Sequence, residues 1–241
     1  ILKQYSIPTI ITLHDYGFLC PHNLMLDGNF NICTRCITGS SINCVIHKCN
    51  RNSRVHSLIS ALEFQYHKKF FPFEKYFDNI IAVSKFSQNI HNSSGKFKKN
   101  ILHLYNFYPE LYEVSPNSIK GNYFLFFGRL SEEKGIKSLI KAWLLKKRKS
   151  ILKIVGTGEM YEELVSLYQN EASIQILGFK QGEELNNLIR NSSFVIIPSE
   201  WYENNPLTII EAYANGKPVI GSRIGGIPEI IDDGETGFLF E

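Results

Sequence analysis

The sequence predicts an α/β fold built on parallel β-sheet, and three observations predict it. Apolar runs of about five residues recur along the chain, each followed by a stretch whose apolar residues return every three or four positions, the pattern of βαβ units. Polar residues or glycines close almost every run, and in an open α/β sheet ligands bind beyond the carboxyl ends of the strands. No run reaches eighteen apolar residues, so none is a membrane span.

The strands are placed at 8–13, 79–83, 101–105, 122–127, 151–155, 173–177, 194–197 and 218–221. They lead into His14-Asp15, Ser84, Asn106, Gly128-Arg129, Gly156, Gly178, Glu203 and Gly221-Ser222. A sheet that only packs does not need that chemistry along one edge, so the edge reads as a binding site.

Two segments of that edge are the most specific. After the run 194–197 comes Pro198-Ser199-Glu200-Trp201-Tyr202-Glu203-Asn204-Asn205-Pro206-Leu207, opening a helix with Asn205 as cap and Pro206 at its first position. A helix N-terminus presents unpaired N–H groups and partial positive charge to an anion. Glu203 precedes the turn and Glu211 lies inside the helix, so one carboxylate can address a group held at the helix mouth and the other nearby hydroxyls. A phosphate donor carrying sugar hydroxyls fits; a capped helix with two solvated glutamates is the plainer alternative.

The second segment, Gly128-Arg129-Leu130-Ser131-Glu132-Glu133-Lys134-Gly135, leaves a strand for a helix carrying Ile136, Leu139 and Ile140. Glycine admits close backbone approach, and Arg129 with Lys134 places two cations beside it, a natural partner for pyrophosphate. Ion-pairing of these cations with Glu132 or Glu133 is the alternative. Gly156-Thr157-Gly158 has two of the three glycines of a dinucleotide fingerprint and Tyr161 at the third place, which argues against NAD.

In order and spacing these residues carry a resemblance. Gly128-Arg129-Leu130 with Lys134-Gly135, Gly156-x-Gly158, Leu177-Gly178-Phe179, Pro198-Ser199, Glu203 and Glu211 with seven residues between them, Ala214-x-Gly216-x-Pro218-Val219-Ile220 and Gly225-Gly226-Ile227-Pro228-Glu229 span nearly all of 121–241. They resemble the donor domain of a retaining glycosyltransferase of family 4 (glycosyl transferases group 1) with the GT-B fold. Thr12-Leu13-His14-Asp15, Ala82-Val83-Ser84-Lys85-Phe86 and the Asn106 turn resemble its acceptor domain more loosely.

The resemblance implies two Rossmann-like domains facing a cleft. Residues 1–115 would be the acceptor side, truncated at its start and carrying a Cys-rich insertion at 20–49. Residues 116–241 would be the donor side, lacking its C-terminal helices. The boundary is expected between Asn106 and Gly121, where Pro109, Pro116, Asn117 and Ser118 interrupt the periodicity.

It also implies roles. Arg129 and Lys134 would hold the diphosphate and stabilise it as leaving group. Glu211 would accept from the ribose hydroxyls, Glu203 would contact the donor sugar, and the backbone of Asn204, Asn205, Pro206 and Leu207 would face the phosphates. Gly128 belongs to the same donor site, with Gly156, Phe179 and Lys180 against the base. His14 would meet the donor sugar from the acceptor domain as a positioning group, not a nucleophile; a strand-end histidine satisfied by backbone is its alternative. Transfer from a UDP- or GDP-sugar to a glycan or lipid-linked acceptor would proceed with retention and without a divalent cofactor. A GT-B epimerase or phosphorylase and a non-catalytic, metal-stabilised binding module are the other classes.

Composition fits. With 241 residues, 44% of them hydrophobic, the chain can build one large or two smaller cores. Its 26 basic and 23 acidic side chains leave only +3, so strong nucleic-acid binding is not indicated. The positive charge is clustered at Lys141, Lys146, Lys147, Arg148 and Lys149, and at Lys96, Lys98 and Lys99. These are solvated faces or a contact for an anionic membrane. The aromatic segment Phe64, Tyr66, Phe70, Phe71, Phe73, Tyr76, Phe77 reads as membrane contact or as core between domains. No signal peptide is visible, and the expected location is the cytoplasm, peripheral to the inner membrane face.

All five cysteines, Cys20, Cys33, Cys36, Cys44 and Cys49, fall in one thirty-residue window rich in Asn, Ser, Thr and Gly, with His22 and His47 among them. In a cytosolic chain such spacing points to metal more than to disulfides. Cys33-x-x-Cys36 has the bite of a tetrahedral zinc half-site, which Cys20 and Cys49 can complete, with Cys44 spare or exchanging roles with Cys49. An iron–sulfur cluster and free or redox-linked thiols are the alternatives.

Overall fold

The computed structural model describes residues 5–72, 75–108, 121–145 and 150–241. The chain divides into two compact units. One runs to Tyr105 and includes Trp201–Asn205; the other comprises Asn106–Glu200 and Pro206–Glu241. The expected boundary at 115/116, with Pro109, Pro116, Asn117 and Ser118, lies outside the described residues, as do Phe73 and Lys146–Arg148–Lys149 with Lys147 between them.

The first unit carries a parallel three-stranded sheet of β1 (Ile10–Leu13), β2 (Asn79–Ala82) and β3 (Ile101–His103), in that order. Leu13, Ile80, Ala82 and Ile101 form its buried core. α3 (Arg54–Phe70) precedes β2, and α4 (Lys85–Ser93) follows it, capped by the Ser84 hydroxyl accepting from the Ser87 amide at 3.0 Å. The excursion between β1 and α3 holds two short helices, α1 (Arg35–Thr38) and α2 (Ile42–Ile46). It has a small core of its own: Tyr16, Leu19, Cys20, Met25 and Ile37, with Phe86 and Ile90 of α4 packed on it.

The second unit is a six-stranded parallel sheet ordered β6-β5-β4-β7-β8-β9. Its strands are β4 (Tyr123–Phe127), β5 (Ile151–Val155), β6 (Ile174–Ile176), β7 (Phe194–Ile197), β8 (Val219–Ser222) and β9 (Gly237–Phe240). The helices are α5 (Ile136–Leu145), α6 (Tyr161–Tyr168), α7 (Gly182–Arg190) and α8 (Leu207–Ala214). Side chains alternate across the pleat. Leu125 and Phe127 of β4 enter one core with Val155, Val195 and Ile209, while Phe126 enters another with Ile136, Ile140, Trp143 and Ile154. Both faces are therefore apolar, which is why the strands read as continuous hydrophobic runs. All eight expected strands are present within about two residues of their expected ends, the ordinary uncertainty of such boundaries. β9, which pairs in parallel with β8, was not anticipated: its two glycine-flanked aromatics are too few to establish a period.

Within the stretch 116–241, Trp201–Asn205 group with the first unit. Tyr202 packs on Phe86 with ring centroids 4.8 Å apart, and the Asn204 amide donates to the His14 carbonyl at 2.8 Å. These contacts, between residues remote in sequence, outweigh the five residues' chain neighbours.

Candidate functional site

In the second unit the chain steps outward from β4 through β5 to β6, then returns to the other side of β4 for β7, β8 and β9. The strand order therefore reverses between β4 and β7, where a doubly wound sheet opens a crevice at its carboxyl edge. The loops leaving the strands are tied into one rim. The Gly128 amide donates to the Val155 carbonyl at 3.0 Å, Leu130 to Thr157 at 2.9 Å, Gly156 to Gly178 at 2.8 Å and Glu200 to Glu133 at 2.9 Å. The Ser222 hydroxyl donates to the Ser199 carbonyl at 2.7 Å, adding the end of β8. Two glycines make the rim this tight. A Cβ on Gly156 (φ +136°) would lie 1.8 Å from the Gly128 carbonyl oxygen, and one on Gly135 (φ +69°) 1.8 Å from that of Pro198.

Arg129 and Lys134 sit on the β4 side of the reversal, across a single 3-10 turn (Glu132–Lys134). The Arg129 side chain is 60% exposed, and its Nη2 donates to Glu133 Oε1 at 2.7 Å. The Ser131 hydroxyl donates to the same oxygen at 2.7 Å. The ion pair weighed from the sequence is thus present, with the buried Glu133; Glu132 pairs with Lys137 at 3.0 Å instead. Because a guanidinium carries five N–H donors, this contact leaves Arg129 able to receive an anion.

On the β7 side, α8 begins one residue later than expected. Pro206 is the N-cap (φ −66°, ψ 119°) and Leu207 the first helical residue, so Asn205 is not the cap. Pro206 brings no side-chain acceptor to the first turn. Glu211 is half-buried in α8, and burial pushes its carboxyl above the usual range. Phe179, after β6, is 64% exposed. Lys180 pairs with Glu184 at 2.6 Å and lines a hollow of about 630 Å³ with Asn122, Lys153 and Leu177. That hollow includes none of Gly128, Arg129, Lys134, Gly156 and Glu211.

In the first unit, His14 leaves β1 and is exposed. Asp15 beside it accepts from the Gly17 amide at 2.8 Å. His14 and Asp15 line a cavity of about 880 Å³ with Phe64, His67, Lys68 and Lys96. Glu203, Asn204 and Asn205 belong to this unit and are buried at 5–6% exposure, so Glu203 is not a solvated glutamate.

The sequence reading missed two residues here. Lys96, grouped above with Lys98 and Lys99 as surface charge, is half-buried, its Nζ donating to the Cys36 carbonyl at 2.8 Å and the Leu19 carbonyl at 3.1 Å. Lys99 likewise donates to the Phe77 carbonyl. No sequence signal links residues so far apart. Of the aromatics of α3 and its sequel, Tyr66, Phe70, Phe71 and Tyr76 are each about half exposed.

All five cysteines are buried, and none is in a disulfide. Cys36, Cys44 and Cys49 pack directly together. Burial first, and then Cys20, Cys33 and Cys49, push the Cys36 thiol up to about 12. Among the described residues, no three or more His, Cys, Asp or Glu side chains are placed so that they could hold a metal ion.

The family model of glycosyl transferases group 1 matches residues 109–241. An uncharacterised glycosyltransferase of Methanocaldococcus jannaschii is 32% identical over 166 residues, 68% of this chain and 45% of that protein. An uncharacterised 42.6 kDa protein of the cps region of Klebsiella pneumoniae is 27% identical over 241 residues, 95% of this chain and 54% of that one. The chain thus spans about half the length of these curated relatives. Among solved structures, the Anabaena protein HepE in complex with UDP matches 99% of this chain and 60% of its own, with a TM-score of 0.66 at 21% identity. That likeness is one of fold, the GT-B type. With the family model covering more than half of its length, the chain belongs to the glycosyl transferases group 1 family.

Proposed function

We propose that this chain transfers a hexosyl group from a nucleoside-diphosphate sugar to a glycan or lipid-linked acceptor, with retention at the anomeric carbon. The observation that carries the reading is the rim at the strand-order reversal, where the turn bearing Arg129, held by Glu133, and Lys134 is tied to the loop leaving β7 by the Glu200 amide donating to the Glu133 carbonyl. Arg129 and Lys134 bind the diphosphate and stabilise the negative charge that grows on it as the glycosidic bond breaks. Gly128 and Gly156 keep the rim open to the nucleotide, with Phe179 and Lys180 toward the base. Glu211 accepts from the ribose hydroxyls. Glu203 addresses the donor sugar, the backbone of Asn204–Leu207 the phosphates, and His14 positions the sugar. The UDP and UDP-glucose complexes of the Anabaena protein support a uridine donor over a guanosine one.

The acceptor side rests on the His14 cavity, whose aromatic wall and cations suit an acceptor with an apolar part and an anionic group. Among the described residues no helix is long and apolar enough to cross a membrane. However, α3 exposes Val55, Leu58, Ile59, Leu62, Tyr66 and Phe70 in one stripe that ends at Lys68 and Lys69. This supports peripheral contact with the cytoplasmic membrane face; failure to float with anionic vesicles would remove that part.

Slow hydrolysis of UDP- and GDP-sugars by the full protein tests the function. One donor should be consumed, and its nucleoside diphosphate should raise the melting temperature. No hydrolysis of any donor and no thermal shift at millimolar nucleotide would overturn the reading.

A further inference from the structure

We propose that the His14 cavity holds a lipid-linked acceptor by its phosphate, with Lys68 and Lys96 as the phosphate ligands and the exposed face of α3 lying in the membrane that carries the lipid. Calling this lipid an acceptor rests on the transferase reading; the site itself rests on the first unit alone.

The cavity gathers cations that the protein leaves without counter-ions. Lys68, in the last turn of α3, and Lys96, beyond α4, both line its volume of about 880 Å³. Among the described residues neither is paired with a carboxylate. Two carboxylates share the wall, and each is engaged elsewhere. Asp15 accepts from the Gly17 amide at 2.8 Å, and Glu63 lies 3.8 Å from His67 Nε2 across one turn of helix.

Lys96 is fixed in place. Its Nζ donates to the Leu19 and Cys36 carbonyls at 3.1 and 2.8 Å and lies 5.3 Å from the centre of the Phe64 ring. Those carbonyls take two of the three ammonium donors, which leaves one for a ligand. Burial, and then the charge of Lys68, lower the Lys96 pKa. Two like charges at one cavity repel each other, and a phosphate between them turns that repulsion into two charge-assisted contacts.

Phe18, Phe64, Phe71 and Phe77 give the same cavity an apolar wall, which suits hydrocarbon. Phe71 continues that wall onto the surface, since its ring lies 5.7 Å from Tyr66, and Tyr66 lies 5.0 Å from Phe70. Tyr66 belongs to a helix whose amphipathy is inverted for water. α3 buries its small residues Ser57 and Ala61, while Val55, Ile59, Leu62 and Tyr66, which share the opposite face, are each more than half exposed. A hydrocarbon surrounding removes the cost of that exposure. The charge of the helix fits an anionic lipid surface, with Arg54, Lys68 and Lys69 against Glu63 as its one acidic residue. Because Phe71 belongs to both surfaces, a single molecule with a phosphate and a long apolar chain occupies them together.

Flotation of the full protein with vesicles tests this. The vesicles are phosphatidylcholine alone, phosphatidylcholine with phosphatidylserine, and phosphatidylcholine with undecaprenyl phosphate at matched surface charge. Apparent affinity should be about tenfold higher for the polyprenyl phosphate than for phosphatidylserine. Lys68→Gln should remove this preference while keeping most of the binding to phosphatidylserine, and Ile59→Asp should abolish flotation with every vesicle. Both positions are exposed, so both variants should fold, with circular dichroism as the control. Lys96→Gln should act as Lys68→Gln does; should it fail to fold, Lys68→Gln carries the test. Equal binding to the two anionic vesicles, an undiminished preference in Lys68→Gln, or full flotation of Ile59→Asp would overturn the inference. So would release from the polyprenyl phosphate vesicles by millimolar inorganic phosphate at constant ionic strength, which marks a site for the free anion. Donor hydrolysis is measured on the same preparation. A lipid preference without hydrolysis counts against the transferase reading and leaves the lipid site standing, whereas hydrolysis without a lipid preference overturns the lipid site alone.

Discussion

The buried carboxylate of Glu133 accepts the guanidinium of Arg129 at 2.7 Å, and the Ser131 hydroxyl donates to the same oxygen. Because Glu133 is held from two sides and lies at 5% exposure, it is a fixed anchor for the Arg129 guanidinium. Arg129→Ala, and likewise Lys134→Ala, should lower turnover about a hundredfold or more, the usual order for losing one preorganised charge-stabilising group. Glu133→Gln keeps a hydrogen bond and should cost about tenfold, in kcat more than in KM. Steady-state kinetics with circular dichroism as the folding control check this, and near-normal turnover in Arg129→Ala would take it out of the site.

The two glutamates should separate by ligand. Glu211→Gln should weaken binding of the nucleoside diphosphate alone, since the ribose contact is present without sugar. Glu203→Gln should spare that binding and depress the chemical step. Burial raises the Glu211 carboxyl, so on acidification it becomes protonated before ordinary carboxylates do. Nucleotide affinity of the wild type should therefore begin to fall above the normal carboxylate range, while Glu211→Gln stays flat there. Calorimetric titration across pH measures both; equal weakening by the two substitutions would contradict the separate roles.

Fixed cations on the departing diphosphate bear on metal use. Where Arg129 and Lys134 offset most of the charge that grows on the leaving group, a divalent ion is not needed to stabilise it. Added Mg²⁺ or Mn²⁺ should leave the transfer rate unchanged, and the first-formed product, followed by NMR, should keep the donor's anomeric configuration. An inverted first product, or a reaction that starts only on addition of the ion, would go against the proposed chemistry.

What the sequence discloses and what it hides follow from how far apart the partners lie. The strands of the second unit are legible because burial on both faces writes them as short apolar runs, and Gly128, Gly156 and Gly178 are legible because these strand exits take positive φ, which favours glycine. The Arg129–Glu133 pair lies four residues apart and was open to view as one of two choices; only packing shows that Glu133 is the buried one. By contrast, Lys96 meets the carbonyls of residues 60 and 77 positions away, and Asn204 meets one 190 away, so no periodicity announces them. Assignment of Trp201–Asn205 to the first unit failed to appear for the same reason. The exposed stripe on α3 escaped notice differently: its apolar spacing is that of any helix that faces a core.

His91 gives the fold a dependence on pH that its neighbours make specific. It is fully buried in α4, stacked on Tyr16 at 6.0 Å and set edge-on to Phe97 at 5.3 Å. Its Nδ1 lies 2.7 Å from the Ser87 carbonyl, which can only accept, so Nδ1 carries the proton of the neutral ring. Nε2 is buried with no partner, and charging the ring would put a second N–H there. Burial lowers the pKa to about 4; the Ser87 carbonyl and Asp15 oppose this, and Lys96 adds to it. Because the folded value lies below the unfolded one of about 6.5, the unfolded chain binds the proton first, and stability falls as pH drops from about 6.5 to about 4. The full loss attributable to this ring is roughly 3 kcal/mol. Urea unfolding of the wild type and of His91→Phe at pH 7.5 and pH 5 isolates it. The variant should be less stable at the higher pH, having lost the Ser87 hydrogen bond, and should lose less on acidification. Parallel losses in the two proteins would show that His91 is not the group responsible.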